Sequence, residues 1–146
     1  ELVALGRRER MGAPDTFDVN AFVALLESLR DLHNSESSVL APGFDRRVEE
    51  PVPGAIELLP ERATVIVEGN YLLLSTGGWE RVAPLLDLSV AIELNEGLRL
   101  ERLIARHVAF GKSPRDARAW ALGPDDANAR LIAPTLQRAD LVYRAR

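Results

Sequence analysis

The sequence predicts an α/β fold, a mostly parallel sheet flanked by helices. Three observations carry that expectation. Short apolar runs bounded by turn residues recur at Ala63–Leu74, Leu88–Leu94 and Asp140–Tyr143, the signature of strands buried in a sheet. Stretches with apolar residues at helical spacing lie between and around them. Strands that alternate with helices need crossover connections, which favour parallel pairing.

The elements follow in chain order. Residues 1–17 are charged and then turn-rich, and read as a surface loop. Asp18 is placed to cap a helix, because its carboxylate can accept from free backbone N–H groups of the first turn. Val19, Phe22, Val23, Leu26 and Leu29 then form one apolar face, and the helix is expected to reach about Leu32. His33–Ser38 is polar. Val39–Arg47 reads as a short extended piece broken by Pro42-Gly43, and Pro51, Pro53 and Gly54 exclude a helix in the segment that follows. A connection of that length is either functional or simply solvated.

The run Ala63-Thr64-Val65-Ile66-Val67-Glu68 predicts a strand buried on both faces, with Glu68 at its carboxyl end. The crevice beyond strand carboxyl ends is where open α/β sheets bind ligands. After a turn at Ser75–Gly78, Pro84 limits a helix to Trp79–Leu86, and Leu88–Leu94 reads as a second buried strand. Asn95 caps a helix running to about Phe110. Ser113, Pro114 and Asp116 fit a capping box for the next helix, which ends at Gly123-Pro124. A short helix over 125–131 and a final strand over 140–143 complete the chain.

Composition narrows the function. At 146 residues the chain reads as a single domain (1–146), and its hydrophobic share of 47% makes it globular. A net charge of −4 gives no general attraction to nucleic acid or to an anionic membrane, and 5% aromatics is too few for a base-stacking platform. No apolar stretch approaches membrane-spanning length and no secretory pattern opens the chain. Cysteine is absent, which excludes disulfides and thiolate metal sites. A cytoplasmic protein is expected. Its basic residues are 17 arginines and Lys112, a bias that codon composition explains and that also suits phosphate binding. The chain opens on Glu1, so a processed or partial sequence is expected as readily as a complete one.

Gly111-Lys112-Ser113 matches the end of a phosphate-binding P-loop, G-x-x-x-x-G-K-[ST]. That pattern needs a glycine at position 106 after a strand, and position 106 is Arg106 inside a predicted helix. It is therefore rejected as a phosphate nest. His33 and His107 have no partner at metal-ligand spacing; His33 reads as a loop residue, and His107 either packs between helices or touches a ligand. Arg99, Arg102 and Arg106 recur on one helix. They form either a solvated face with Glu96 and Glu101 as counterions or an anion site. What remains is a strand-end acid, an arginine-bearing helix and the Pro42-Gly43-Phe44-Asp45-Arg46 segment, the kinds of part that phosphoryl transfer uses.

With those residues in view, the chain resembles the phosphoribulokinase/uridine kinase/pantothenate kinase family of P-loop kinases, in its bacterial uridine kinase-like or fructokinase-like branch. The matching stretches are Arg10–Asp18, Pro42–Arg46, Val65–Leu73, Arg102–His107, and Asn128–Ile132 through Arg138–Val142. The resemblance implies a P-loop nucleoside triphosphate hydrolase-like fold, with ATP and Mg²⁺ as cofactors and a small molecule as acceptor. It implies that Glu68 is the acidic, metal-associated group of a Walker B-like strand. Arg102 and Arg106 would belong to a lid over about 99–122 that closes on the ATP phosphates, with Lys112 and His107 nearby. Arg138 would approach the nucleotide base. Asp18, Phe44, Asp45, Arg46, Asn70 and Tyr71 would lie on the acceptor side.

The family's P-loop and first strand lie upstream of Gly12-Ala13-Pro14, as does an aspartate motif that acts as catalytic base. Only 11 residues precede Gly12 here. The expectation is the C-terminal portion of a longer kinase; the alternative is a truncated, inactive anion-binding or interaction module. Sheet edges left unpaired by an absent strand also predict self-association, at its simplest a homodimer.

Overall fold

The computed structural model describes residues 12–48, 50–61 and 64–145. Arg10, Met11, Ala63 and the His33 side chain lie outside the described residues. Contacts divide the chain into two compact units, Glu1–Leu72 with Thr76–Leu85, and Leu73–Ser75 with Leu86–Arg146.

In the first unit, α1 spans Val19–Asp31, with the Asp18 carboxylate accepting from the Ala21 N–H as expected. Its Val19, Val23 and Leu26 are buried, together with Leu32, Ala41, Tyr71, Trp79 and Val82. The segment read as a long connection is an antiparallel hairpin, β1 (Val39–Asp45) with β2 (Glu50–Leu58). Three prolines hid it from a sequence reading. A lone hairpin has no central strand, so Pro51 and Pro53 in β2 sit on an edge strand, where proline is tolerated. Pro42 falls where the register shifts between Ala41 and Gly43. Gly43 is required there, because a Cβ would lie 2.9 Å from the Ala55 Cβ.

The run after Ala63 differs from its prediction. Thr64–Gly69 forms no ladder among the described residues, and Ile66 is 90% exposed. Apolar β-branched residues favour a strand, but a strand exists only when neighbours accept its backbone hydrogen bonds. Asn70–Leu73 then turns, burying Tyr71. Trp79–Leu86 becomes two 3₁₀ turns, Trp79–Arg81 and Ala83–Leu85, the second holding Pro84.

In the second unit, β3 (Val90–Leu94) and β4 (Leu141–Ala145) pair in parallel, as the strand–helix alternation predicted. Only Ala91 of β3 is buried, so this strand is not covered on both faces. The Asp140 carboxylate ties the two strand starts together. It accepts from the Ser89 N–H at 2.8 Å and hydroxyl at 2.6 Å, which holds it below the usual carboxylate range. Between the strands run α2 (Glu96–Ala109), α3 (Pro114–Leu122) and α4 (Pro124–Ile132). Asn95 and Ser113 cap α2 and α3 as expected, and Gly111 takes a left-handed φ of +96° in the turn between them. That turn follows a helix and not a strand, which confirms that Gly111-Lys112-Ser113 is no P-loop. Among the described residues no helix is long and apolar enough to cross a membrane.

Candidate functional site

Arg102, Arg106 and His107, candidate site residues of the second unit, lie on α2, and Lys112 lies in the turn after it. Asn95 leaves its side-chain oxygen to the Gly97 and Leu98 N–H groups, which starts the helix. Four basic side chains then separate into two kinds. Arg99 is paired: it meets Glu96 at 2.6 Å and Asp126 of α4 at 3.7 Å. The hydrogen bonds between Arg99 and Glu96 lower the Glu96 carboxyl below its usual range and raise the Arg99 guanidinium. His107 is paired as well, its Nε2 lying 2.7 Å from Asp125 Oδ2 with both side chains mostly buried. Arg102 and Arg106 are exposed, and neither has a carboxylate partner among the described residues. The packed alternative thus holds for His107, and the counterion alternative for Arg99 alone.

Lys112 lies with its Nζ 4.4 Å from the centroid of Trp120, a cation–π contact. With Asp116, Ala119 and Pro124 they bound an open cleft of about 490 Å³. Arg138 donates to the Leu73 carbonyl at 3.2 Å. A feature that sequence reasoning missed sits at the carboxyl ends of β3 and β4. There Glu93, Asn95, Glu96 and Arg144 bound a cleft of about 430 Å³, crossed by an Arg144–Glu93 ion pair at 2.7 Å. The signal was the strand–turn–helix joint at Leu94-Asn95-Glu96, the position where α/β sheets receive ligands.

In the first unit, Glu68 and Asn70 are exposed on the segment leading into the turn at Tyr71. Glu68 makes no hydrogen bond or ion pair among the described residues. Tyr71 is buried and donates its O–H to the Gly12 carbonyl at 2.7 Å. Phe17 meets the Tyr71 ring edge-on at 5.9 Å, so Tyr71 and the loop that ends at Asp18 share one neighbourhood. Phe44 is half exposed beside Pro51, and Arg46 is exposed in the hairpin turn. Asp45 is committed to that turn: it accepts from the Arg47 backbone N–H and pairs with its guanidinium, both at 2.8 Å. These bonds hold Asp45 below the usual carboxylate range. Its partner is Arg47, a residue that no motif or spacing singles out.

A single exposed carboxylate at Glu68 suits Mg²⁺, which takes one or two carboxylates and completes its octahedron with water and phosphate oxygens. No group of three or more acidic, His or Cys side chains among the described residues forms an all-protein metal cage. Arg102 and Arg106, exposed and without a carboxylate partner among the described residues, suit a polyphosphate, whose oxygens match the guanidinium fork.

No family model matches the chain. The ATP-dependent kinase-like protein notR' of Aspergillus versicolor is 36% identical over 111 residues, covering 75% of this chain and 64% of that protein. A crystal structure of a proposed fructose transport system kinase from Silicibacter sp. TM1040 superposes with a TM-score of 0.86 at 36% identity, covering 97% of this chain and 67% of that one. YFH7 of Saccharomyces cerevisiae, described as a proposed P-loop-containing kinase with a circular permutation, matches in fold at a TM-score of 0.80 and 23% identity. It covers 97% of this chain and 52% of that one, so the chain spans about half to two thirds of these proteins.

Proposed function

Because the chain belongs to the P-loop kinase family that includes uridine and pantothenate kinases, we propose that it forms the lid-bearing and acceptor-side part of a small-molecule kinase. The reaction moves the γ-phosphoryl group of ATP to a hydroxyl of a nucleoside, a sugar or a pantothenate-like alcohol. The observation that carries this reading is the division of the α2 cations. Arg99 and His107 are held by carboxylates, while Arg102 and Arg106 have none among the described residues. Two exposed arginines one helical turn apart repel each other, and a bound anion relieves that repulsion. Kinase names among the relatives favour this catalytic reading over an inactive anion-binding module.

Bound Mg·ATP supplies the transferable phosphoryl group and part of the charge that neutralises it. Arg102 and Arg106 bind phosphate oxygens and stabilise the charge that spreads over them at transfer. Glu68 is the carboxylate that orients Mg²⁺ or its waters. Lys112 adds a further cation at the lid turn, and Arg138 lies toward the base. Asp18, Phe44, Asp45, Arg46, Asn70 and Tyr71 shape the acceptor side.

The test is kinetic and uses the full-length protein with ATP against uridine, fructose and pantothenate. Glu68→Gln and Arg106→Ala should each cut turnover by about 100-fold or more, with far-UV circular dichroism unchanged. Wild-type-like turnover in both variants would sink the role assignments, and absence of transfer by the wild-type protein to every acceptor would sink the kinase reading.

A further inference from the structure

Four aromatic rings of the first unit cluster around the loop that leads into α1. Tyr71 and Trp79 are 4% and 5% exposed, and their ring centroids lie 5.6 Å apart. Phe17 meets them edge-on at 5.9 and 5.8 Å, and Phe22 of α1 packs on Trp79 at 5.9 Å. Burial of the rings accounts for packing, but not for where their polar atoms point. Tyr71 donates its O–H to the carbonyl of Gly12 at 2.7 Å, and Trp79 donates its indole N–H to the carbonyl of Pro14 at 3.2 Å. Both donors reach residues about 60 positions earlier in the chain, and both hold backbone outside any α-helix or sheet, at Gly12 and at the start of the short 3₁₀ turn Pro14–Thr16. The Thr16 hydroxyl braces the same loop from within. It accepts from the Gly12 N–H and donates to the Ala13 carbonyl.

We propose that Tyr71 and Trp79 are positioning residues that clasp the Gly12–Asp18 loop to the segment carrying Glu68, and that this clasp sets the affinity for the phosphoryl acceptor. The proposal rests on the kinase reading above. Tyr71 lies three residues beyond Glu68, so its hydrogen bond fixes the spacing between the metal-orienting carboxylate and the loop that borders the acceptor. An irregular loop binds well only when its conformation is set before the ligand arrives, and buried donors from a packed core provide that setting. Tyr71 then acts through the loop and not by touching the acceptor. Trp79, which has no place among the expected acceptor contacts, acts in the same way.

The experiment compares wild type with Tyr71→Phe and Trp79→Phe, each of which keeps a ring and removes one donor. Amide hydrogen exchange over residues 12–17 reads the clasp, and steady-state kinetics read its effect. Both variants should exchange faster in that loop and raise the acceptor KM about fivefold, the equivalent of one lost hydrogen bond. The KM for ATP should stay within about twofold. Unchanged exchange overturns the clasp whatever the activity. Faster exchange with an unchanged acceptor KM overturns its role in binding, and a raised KM in Tyr71→Phe alone marks direct contact with the acceptor instead. Absence of phosphoryl transfer by the wild-type protein overturns the kinase reading and the acceptor half of the proposal with it, while the exchange data still decide the clasp.

Discussion

Asp18 carries two assignments that a pair of substitutions can separate. Its Oδ1 accepts from the Ala21 N–H at 2.9 Å, which satisfies one of the free donors that open α1. It also closes the loop proposed above to border the acceptor side. Loss of an N-cap side chain costs about 1 kcal/mol. The cost should be felt in full here, because the first helical residue, Val19, is buried and α1 supplies Val23 and Leu26 to the same core. For a protein of this size about 1 kcal/mol lowers Tm by roughly 3 °C. Asp18→Ala should therefore lower Tm by that amount and the urea midpoint by about 0.3–1 M. Asp18→Asn keeps an equivalent cap, so its stability should stay within about 0.5 kcal/mol of wild type. If the Asp18 charge also serves the acceptor, the Asn variant should raise the acceptor KM at wild-type stability. A fully stable Asp18→Ala would refute the cap, and an Asn variant as unstable as the Ala variant would show that charge at the helix N-terminus, not hydrogen bonding, does the stabilising.

Two further predictions concern stability. Asp140 has a folded pKa below its ordinary value of 3.8 because it accepts from Ser89, so its contribution is complete well above that value and is lost as pH falls through the folded pKa. Asp140→Asn should flatten the decline of the urea midpoint between about pH 5 and pH 3; a decline as steep as wild type would refute the linkage. Val82 is fully buried, so Val82→Ala should cost about 2 kcal/mol by loss of two methyl groups and the space they leave. A midpoint within error of wild type would mean that this core closes over the gap.

The helices were legible because each carries its own punctuation. Asp18, Asn95 and the Ser113-Pro114-Asp116 cluster act within a few residues of themselves, and the structure places all three caps as read. Pairing is remote, and there sequence reasoning divided. The parallel β3–β4 pair followed from the intervening helices, whereas the β1–β2 hairpin was hidden by prolines that only edge strands accept. The Val65–Val67 run carried the strongest strand signal in the chain, yet nothing within the run supplies the neighbour that would turn it into a strand. Of the candidate site, residue types were legible and commitments were not. Asp45 is spent on Arg47, and the donors of Tyr71 and Trp79 are spent on a loop whose distance along the chain no periodicity reveals.

The pairing of Arg99 with Asp126 and of His107 with Asp125 has a mechanical consequence. Two adjacent aspartates at the start of α4 grip α2 near its beginning and near its end, so α2 cannot roll about its own axis without breaking one grip. The two pairs therefore couple α4 to α2 at two points about two helical turns apart. A substitution at Asp125 or Asp126 would loosen that coupling without touching Arg102 or Arg106, which take part in neither pair.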